Sequence, residues 1–199
     1  MLGIDPDTRM AELARRSGLA TEVARLEDWD PAGRTFDAVI AAQAWHWVDP
    51  VAGAAKAAAV LRAGGRLAVF WNAFGFPTEL REAFGEVYRR AVPGSPLAAG
   101  GLARPAIEAY LTMCATAADG MRSAGGFGEP EQWRLDWERA YTRDEWLDVV
   151  PTLGGQSQLP PSVLGELLAG MGAAIDAGGG SFTMNYTTVA VTASRPPAV

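Results

Sequence analysis

Cysteine and histidine are nearly absent: the chain of 199 residues has one of each, Cys114 and His46. A lone thiol excludes an internal disulfide and a cysteine-rich zinc site, so no bound metal is expected, and it suits the reducing cytoplasm. A lone imidazole, with no Gly-x-Ser-x-Gly elbow, excludes a serine-hydrolase triad. No apolar run reaches the roughly 20 residues that cross a bilayer, and no basic stretch followed by an apolar one stands near Met1. Basic residues are outnumbered, 17 against 23 acidic ones for a formal charge of −6, which leaves no electrostatic footprint for nucleic acid. These absences lead to an expected cytoplasmic protein that binds neither membrane nor nucleic acid. They say nothing of its oligomeric state.

What is present is a large apolar fraction, 49%, enough for one substantial core and a single expected domain over residues 1–199. Strand and helix patterns alternate through the first half, which predicts a mainly parallel sheet covered by helices. Residues 2–5 read as a strand, and 6–17 as a helix started by Asp5-Pro6, with Met10, Leu13 and Ala14 on one face. Short strands are expected over 21–26 and 36–42. The second, Phe-Asp-Ala-Val-Ile-Ala-Ala, has the continuous apolar character of a strand buried on both faces. Asp49-Pro50 repeats the cap-and-proline device before an alanine-rich helix ending at Gly64-Gly65, and Leu67–Trp71 follows as a strand.

Later in the chain, helical spacing runs from Pro77 to Ala91, and one further helix carries Ile107, Leu111, Cys114 and Ala118. Trp133, Leu135 and Trp137 alternate with polar residues as in a strand with one wetter face. Thr142 and Glu145 have capping-box spacing. Leu164, Leu167, Leu168, Met171 and Ile175 form the apolar stripe of another helix, which Gly178-Gly179-Gly180 closes before a last strand over 182–192. Because that triple glycine precedes a strand and not a helix, it is a connector and not a phosphate cradle. Residues 94–130 and 141–178 read as helical insertions on the substrate side.

The residue with the most chemistry is Asp5. At the carboxyl end of a strand in an open α/β sheet, a carboxylate can accept both hydroxyl protons of a ribose. Capping the following helix is equally good chemistry for the same side chain.

In order and spacing, Gly3-Ile4-Asp5-Pro6-Asp7 with Met10, then Glu27-Asp28-Trp29, then Phe36 to Trp47, then Leu61-Arg62-Ala63-Gly64-Gly65-Arg66-Leu67 resemble the class I S-adenosylmethionine-dependent methyltransferases, in particular the methyltransferase type 11 group. The resemblance implies an α/β Rossmann-like fold, with a mostly parallel sheet of seven strands whose last strand is antiparallel. It implies S-adenosyl-L-methionine as cofactor and a small-molecule substrate. Asp5 would hold the ribose hydroxyls, Pro6 would lie beside the adenine, and Leu26 and Glu27 would bracket the other adenine edge. Arg25 stands where the family often has an acid. Ala41, Ala42 and Gln43 would line the methionine part, and His46 and Trp47 would face the transfer pocket.

A sulfonium methyl is already activated, so such a protein mainly aligns a nucleophile and excludes water. A base is required only where the substrate must lose a proton. His46 is then the candidate, since imidazole ordinarily titrates near neutrality; packing between Trp45 and Trp47 as pocket wall is the other reading. Trp71 and Asn72, at the mouth of the next strand, touch substrate or merely close the sheet. Trp133, Trp137, Tyr141 and Trp146 build an aromatic lid or pack in the core.

Leu2–Asp5 corresponds to the family's second strand, with no first strand or glycine-rich loop before it. Two inward strand edges would then lack partners, at a cost comparable with a domain's whole stability margin. Direct pairing of strand 2–5 with strand 36–42, or a start site further upstream, would compensate. Two functions follow: a methyltransferase for a small molecule, or a truncated, non-catalytic protein that keeps the fold with weak or no cofactor binding. A nicotinamide-dependent oxidoreductase also uses an acid at its second strand, but it does not account for the Phe36–Trp47 block.

Overall fold

In a computed structural model, residues 1–98 and 106–197 are described; residues 99–105 of the expected 94–130 insertion lie outside them. The described chain has six strands and six α-helices, in the order β1 (Gly3–Asp5), α1 (Thr8–Arg16), β2 (Thr21–Val23), β3 (Phe36–Ala42), α2 (Pro50–Val60), β4 (Leu61–Gly75), α3 (Thr78–Ala91), α4 (Ala106–Ala124), β5 (Glu131–Thr142), α5 (Arg143–Val149), α6 (Pro161–Ala177) and β6 (Ser181–Ser194). The strands form two sheets, β1-β2 and β3-β4-β6-β5.

Two compact units share these elements: one built from Met1–Trp71, Tyr110–Arg134 and the residues from Val189, the other from Asn72–Ala109 and Leu135–Thr188. In the first unit β1 runs parallel to β2, with Gly3, Ile4 and Asp5 opposite Thr21, Glu22 and Val23, and β3 runs parallel to β4, with Val39 opposite Leu67 and Ala42 opposite Phe70. The end of β6 runs the other way. Gly64 donates to the carbonyl of Arg195 (2.9 Å), Arg195 donates to that of Gly65 (2.8 Å), and the Thr192 hydroxyl donates to that of Leu67 (2.9 Å). The last strand is therefore antiparallel to β4.

The expected pairing of strand 2–5 with strand 36–42 does not occur: β1 bonds only to β2, and β3 is the terminal strand of its own sheet. The same fact corrects the expected burial of β3. Its alternate residues face solvent, and Ile40 is 67% exposed, because a strand with one neighbour and a cavity on its other edge is not enclosed on both faces.

Local chemistry explains most boundaries. Helix α1 starts at Thr8 and not at Pro6: Asp7 is the N-cap, accepting the amide of Arg9 (2.8 Å), while Pro6 lies in the turn that leads to it. Met10 and Leu13 are half-exposed and Ala11 is buried, so the face of α1 that packs is a narrow one. Helix α2 begins as expected, with Asp49 accepting the amides of Val51 and Ala52 and Pro50 in the first turn. It ends sooner than the glycines suggest, and the chain enters β4 at Leu61. Gly64, at φ +76°, and Gly65 sit inside that strand, where a register shift separates the Phe36–Leu61 and Ala38–Arg66 pairs. A Cβ on Gly65 would lie 2.8 Å from the Arg62 carbonyl oxygen, so only glycine fits there.

The second unit has its own core of Phe84, Val87 and Tyr88 from α3, Trp146 from α5, and Leu167, Met171 and Ile175 from α6, with Tyr141 and Met184. The predicted capping box forms, Thr142 taking the Glu145 amide and returning its own to the Glu145 carboxylate. Tyr141 and Trp146 are core residues here. Trp137 is stacked on Tyr186, centroids 4.2 Å apart, at the surface. Strand β5 is exposed along both faces apart from Tyr141, where one dry face was expected.

Candidate functional site

The first unit contains a cavity of about 650 Å³, within the range of small-molecule sites. One wall is β1 and the turn after it, Ile4, Asp5 and Pro6; another is the segment after β2, with Arg25, Leu26 and Glu27; a third is β3 and its continuation, with Ala41, Ala42 and Trp47. Among the described residues β1 and β3 each have one strand neighbour, and both line this single space.

Asp5 ends β1 with one carboxylate oxygen occupied. Its Oδ1 accepts the amide of Asp7 at 2.8 Å, which braces the turn holding Pro6, and Oδ2 forms no hydrogen bond among the described residues. The side chain thus neither caps α1 nor stands idle. Its fixed orientation leaves an anionic acceptor at the cavity wall, suited to a hydroxyl pair. Glu27 is tied more firmly: its Oε1 accepts the amide of Asp49 (2.9 Å) and a guanidinium N–H of Arg25 (3.3 Å). Burial pushes its pKa up, but the Asp49 amide and Arg25 outweigh that and hold the carboxyl below its ordinary range.

Beyond β3 the chain turns sharply. Gln43 has φ +51°, unusual for a side chain with a Cβ, while its amide remains in the sheet, donating to Phe70 (2.9 Å). A single 3₁₀ turn, Trp45–Trp47, follows. Trp45 is buried with its ring against Gly53, where a Cβ would come within 3.2 Å of it; His46 and Trp47 point outward. The fully buried Trp71 of β4 donates its indole N–H to Nδ1 of His46 at 3.2 Å.

Residues 1–69 match the family model described as a methyltransferase domain. This segment is similar to the methyltransferase type 11 family. Over 92 residues the chain is 39% identical to an uncharacterized methyltransferase of Mycobacterium bovis and, to the same extent, to uncharacterized methyltransferases of two Mycobacterium tuberculosis strains. Each match takes in 43% of this chain and 37% of the relative, so the chain spans little more than a third of the length of the curated relatives it matches. A solved structure described as a type II methyltransferase from Anaeromyxobacter dehalogenans superposes with a TM-score of 0.60 at 19% identity, covering 99% of this chain and 81% of that one. At that identity the likeness shows the fold: α/β, Rossmann-like, of the class I methyltransferase type.

Within the methyltransferase segment the expected cofactor residues Asp5, Pro6, Leu26, Glu27, Ala41 and Ala42 share the cavity, as does the expected substrate residue Trp47. Gln43, His46 and Trp71 do not line it. Asn72 belongs to the second unit, where its Oδ1 accepts the Thr188 hydroxyl (2.7 Å), which itself accepts the Trp137 indole N–H (2.9 Å). Ile4, Val39 and Trp45 also line the cavity and were not expected to, although Ile4 adjoins Asp5 and Trp45 adjoins His46. The sequence reading also missed the Trp71–His46 bond, which joins a residue inside β4 to one in the turn beyond β3.

The donor set fits the adenosine half of the expected cofactor. The Asp5 carboxylate has an oxygen with no hydrogen bond among the described residues, which would suit a ribose, and apolar Pro6, Leu26 and Ala41 would suit a flat base. Among the described cavity residues, no glycine-rich turn supplies amide donors for a methionine carboxylate.

Proposed function

We propose that this chain carries the cofactor-binding part of an S-adenosylmethionine-dependent methyltransferase that acts on a small molecule in the cytoplasm. The observation that carries the reading is that Asp5, Glu27 and Ala41–Ala42, from three separate segments, line one cavity in a segment that matches the family. In this reading Asp5 Oδ2 accepts the ribose hydroxyls, Pro6 and Leu26 sandwich the adenine, and the free oxygen of Glu27 takes a polar edge of the base. Ala41 and Ala42 leave room at the end of β3 for the thioether chain. S-adenosylmethionine supplies, when bound, an electrophilic methyl on a sulfonium. What the chain itself must do is orient the acceptor in line with that methyl and keep water out, for which the exposed ring of Trp47 at the cavity mouth is suited.

A second reading is favoured by the bare edges of β1 and β3: a protein with the fold and no useful cofactor affinity. Calorimetric titration with S-adenosylhomocysteine separates the two. Saturable binding to the wild type that is reduced at least tenfold in Asp5→Ala supports the enzyme. Absence of binding to correctly folded wild type leaves the non-catalytic reading.

A further inference from the structure

The four-stranded sheet ends at β5, which has a single strand neighbour, β6, among the described residues. An edge of this kind presents unpaired N–H and C=O groups and invites another strand unless the protein blunts it. Over Glu131–Thr142 there is no proline, glycine or lysine, and every residue before Tyr141 is exposed. Side chains alternate between the two faces of the strand. On one face Trp137 lies flat on Tyr186 and donates its indole N–H to the Thr188 hydroxyl at 2.9 Å; Trp133 and Leu135, 53% and 65% exposed, stand on that same face. On the other, Asp136 accepts the Thr187 hydroxyl, and Arg134 stands two residues before it. An exposed apolar row thus runs along one face of a free edge, with charges of both signs along the other.

We infer that two copies of this chain pair through β5, edge to edge and antiparallel, about a two-fold axis at Leu135. The residues themselves select that occupant and that register. Turned about its centre, Glu-Gln-Trp-Arg-Leu-Asp-Trp-Glu-Arg, residues 131–139, sets Arg134 opposite Asp136 of the second copy, Glu131 opposite Arg139, Trp133 opposite Trp137 and Leu135 opposite itself, with Gln132 opposite Glu138. Each unlike pair occurs twice, once on either side of the axis. Opposite charges and aromatic rings directly across an antiparallel pair stabilise it, and like charges oppose it. Neighbouring registers fail on that ground: an axis at Arg134 sets two arginines face to face, and one at Asp136 sets two aspartates face to face. An axis between two residues would lay the apolar row of one copy beside the charged row of the other. This complementarity concerns only β5 and is independent of the methyltransferase reading.

Sedimentation equilibrium of the wild-type chain, from micromolar to near-millimolar concentration, is expected to approach twice the chain mass. Arg134→Asp and Asp136→Arg each set like charges opposite one another across the axis, and each is expected to raise the dissociation constant at least about tenfold while circular dichroism shows a folded chain. An equimolar mixture of the two variants restores both opposite-charge pairs and should dimerise within about threefold of wild type. Damage to the fold of either variant would not be repaired by mixing. Should both fail to fold, Leu135→Cys carries the test, since the axis brings its two copies to Cα atoms about 4.5–5.5 Å apart, within disulfide reach. Oxidation of the native protein with copper phenanthroline is expected to cross-link Leu135→Cys and not Arg139→Cys, whose copies would lie roughly 27 Å apart; the native Cys114 is buried. A wild type that stays monomeric at every concentration overturns the inference and leaves the edge to a strand of another protein. A dimer indifferent to both charge reversals, or cross-linking at 139 as readily as at 135, puts the contact elsewhere and overturns it as well.

Discussion

Glu27 accepts the backbone N–H of Asp49 at 2.9 Å, across 22 residues of sequence. Asp49 is itself the cap of α2, so one carboxylate ties the segment after β2 to the start of the helix that follows β3. Two walls of the cavity are held at a fixed spacing by this link.

Glu27→Ala is accordingly expected to destabilise the fold by about 1–2 kcal/mol, the usual cost of a charge-assisted hydrogen bond to a part-buried group. The same change should weaken nucleoside binding, whereas Glu27→Gln, which keeps an acceptor oxygen, should restore most of the stability. Chemical denaturation of the three proteins checks the order. Equal loss in Gln and Ala variants would mean that the side-chain charge, and not the Asp49 contact, matters.

Acid sensitivity should centre on Glu22. Its carboxylate accepts both a bidentate pair from Arg34 (2.6 and 3.0 Å) and the indole N–H of Trp29 (2.6 Å), and Arg34 first, then Trp29, draw its pKa down to about 2 from an ordinary 4.5. A folded value below the unfolded one means stability that is complete above about pH 4.5 and lost as the pH falls through about 2. Wild type should therefore exceed Glu22→Gln in stability at pH 7, with the gap closing between those two values. A gap of constant size from pH 7 to pH 2, measured by denaturant titration at each pH, would refute the assignment.

Cys114 is buried in α4, and burial pushes its thiol up to about 11. The thiolate is the reactive species, so at pH 8 a disulfide reagent such as dithiobis(nitrobenzoate) should leave the folded protein unmodified and titrate one thiol in denaturant. Rapid labelling of native protein would show that α4 opens readily.

What could be read from the sequence follows the range of each interaction. The Asp49–Pro50 cap, the Thr142–Glu145 box and the stripe of α6 are decided within a few residues, and all three occur. Asp5 and Asp7 flank the same proline with the same chemistry, and only the turn geometry assigns the cap to Asp7 and the brace to Asp5. The cavity residues of the family pattern were legible because their order along the chain mirrors the order of strands. The Trp71–His46 bond was not, because the two residues lie 25 apart and meet only through the register of β3 on β4. Apolar runs mislead most at β3: composition records that a strand can be enclosed, and neighbours decide whether it is.

That last distinction can be measured on one pair of strands. Ile40 of β3 is opposite Ala68, and its neighbour Val39 is opposite Leu67, which is fully buried. Leu67→Ala should cost about 2–5 kcal/mol through lost burial and the cavity left behind. Ile40→Ala, at a position 67% exposed, should cost under about 1 kcal/mol. If the isoleucine truncation costs as much as the leucine one, then β3 is enclosed in solution, something covers its free edge, and the cavity beside Asp5 is not open to a nucleoside. A small cost leaves that edge accessible, as cofactor binding at Ala41 and Ala42 requires.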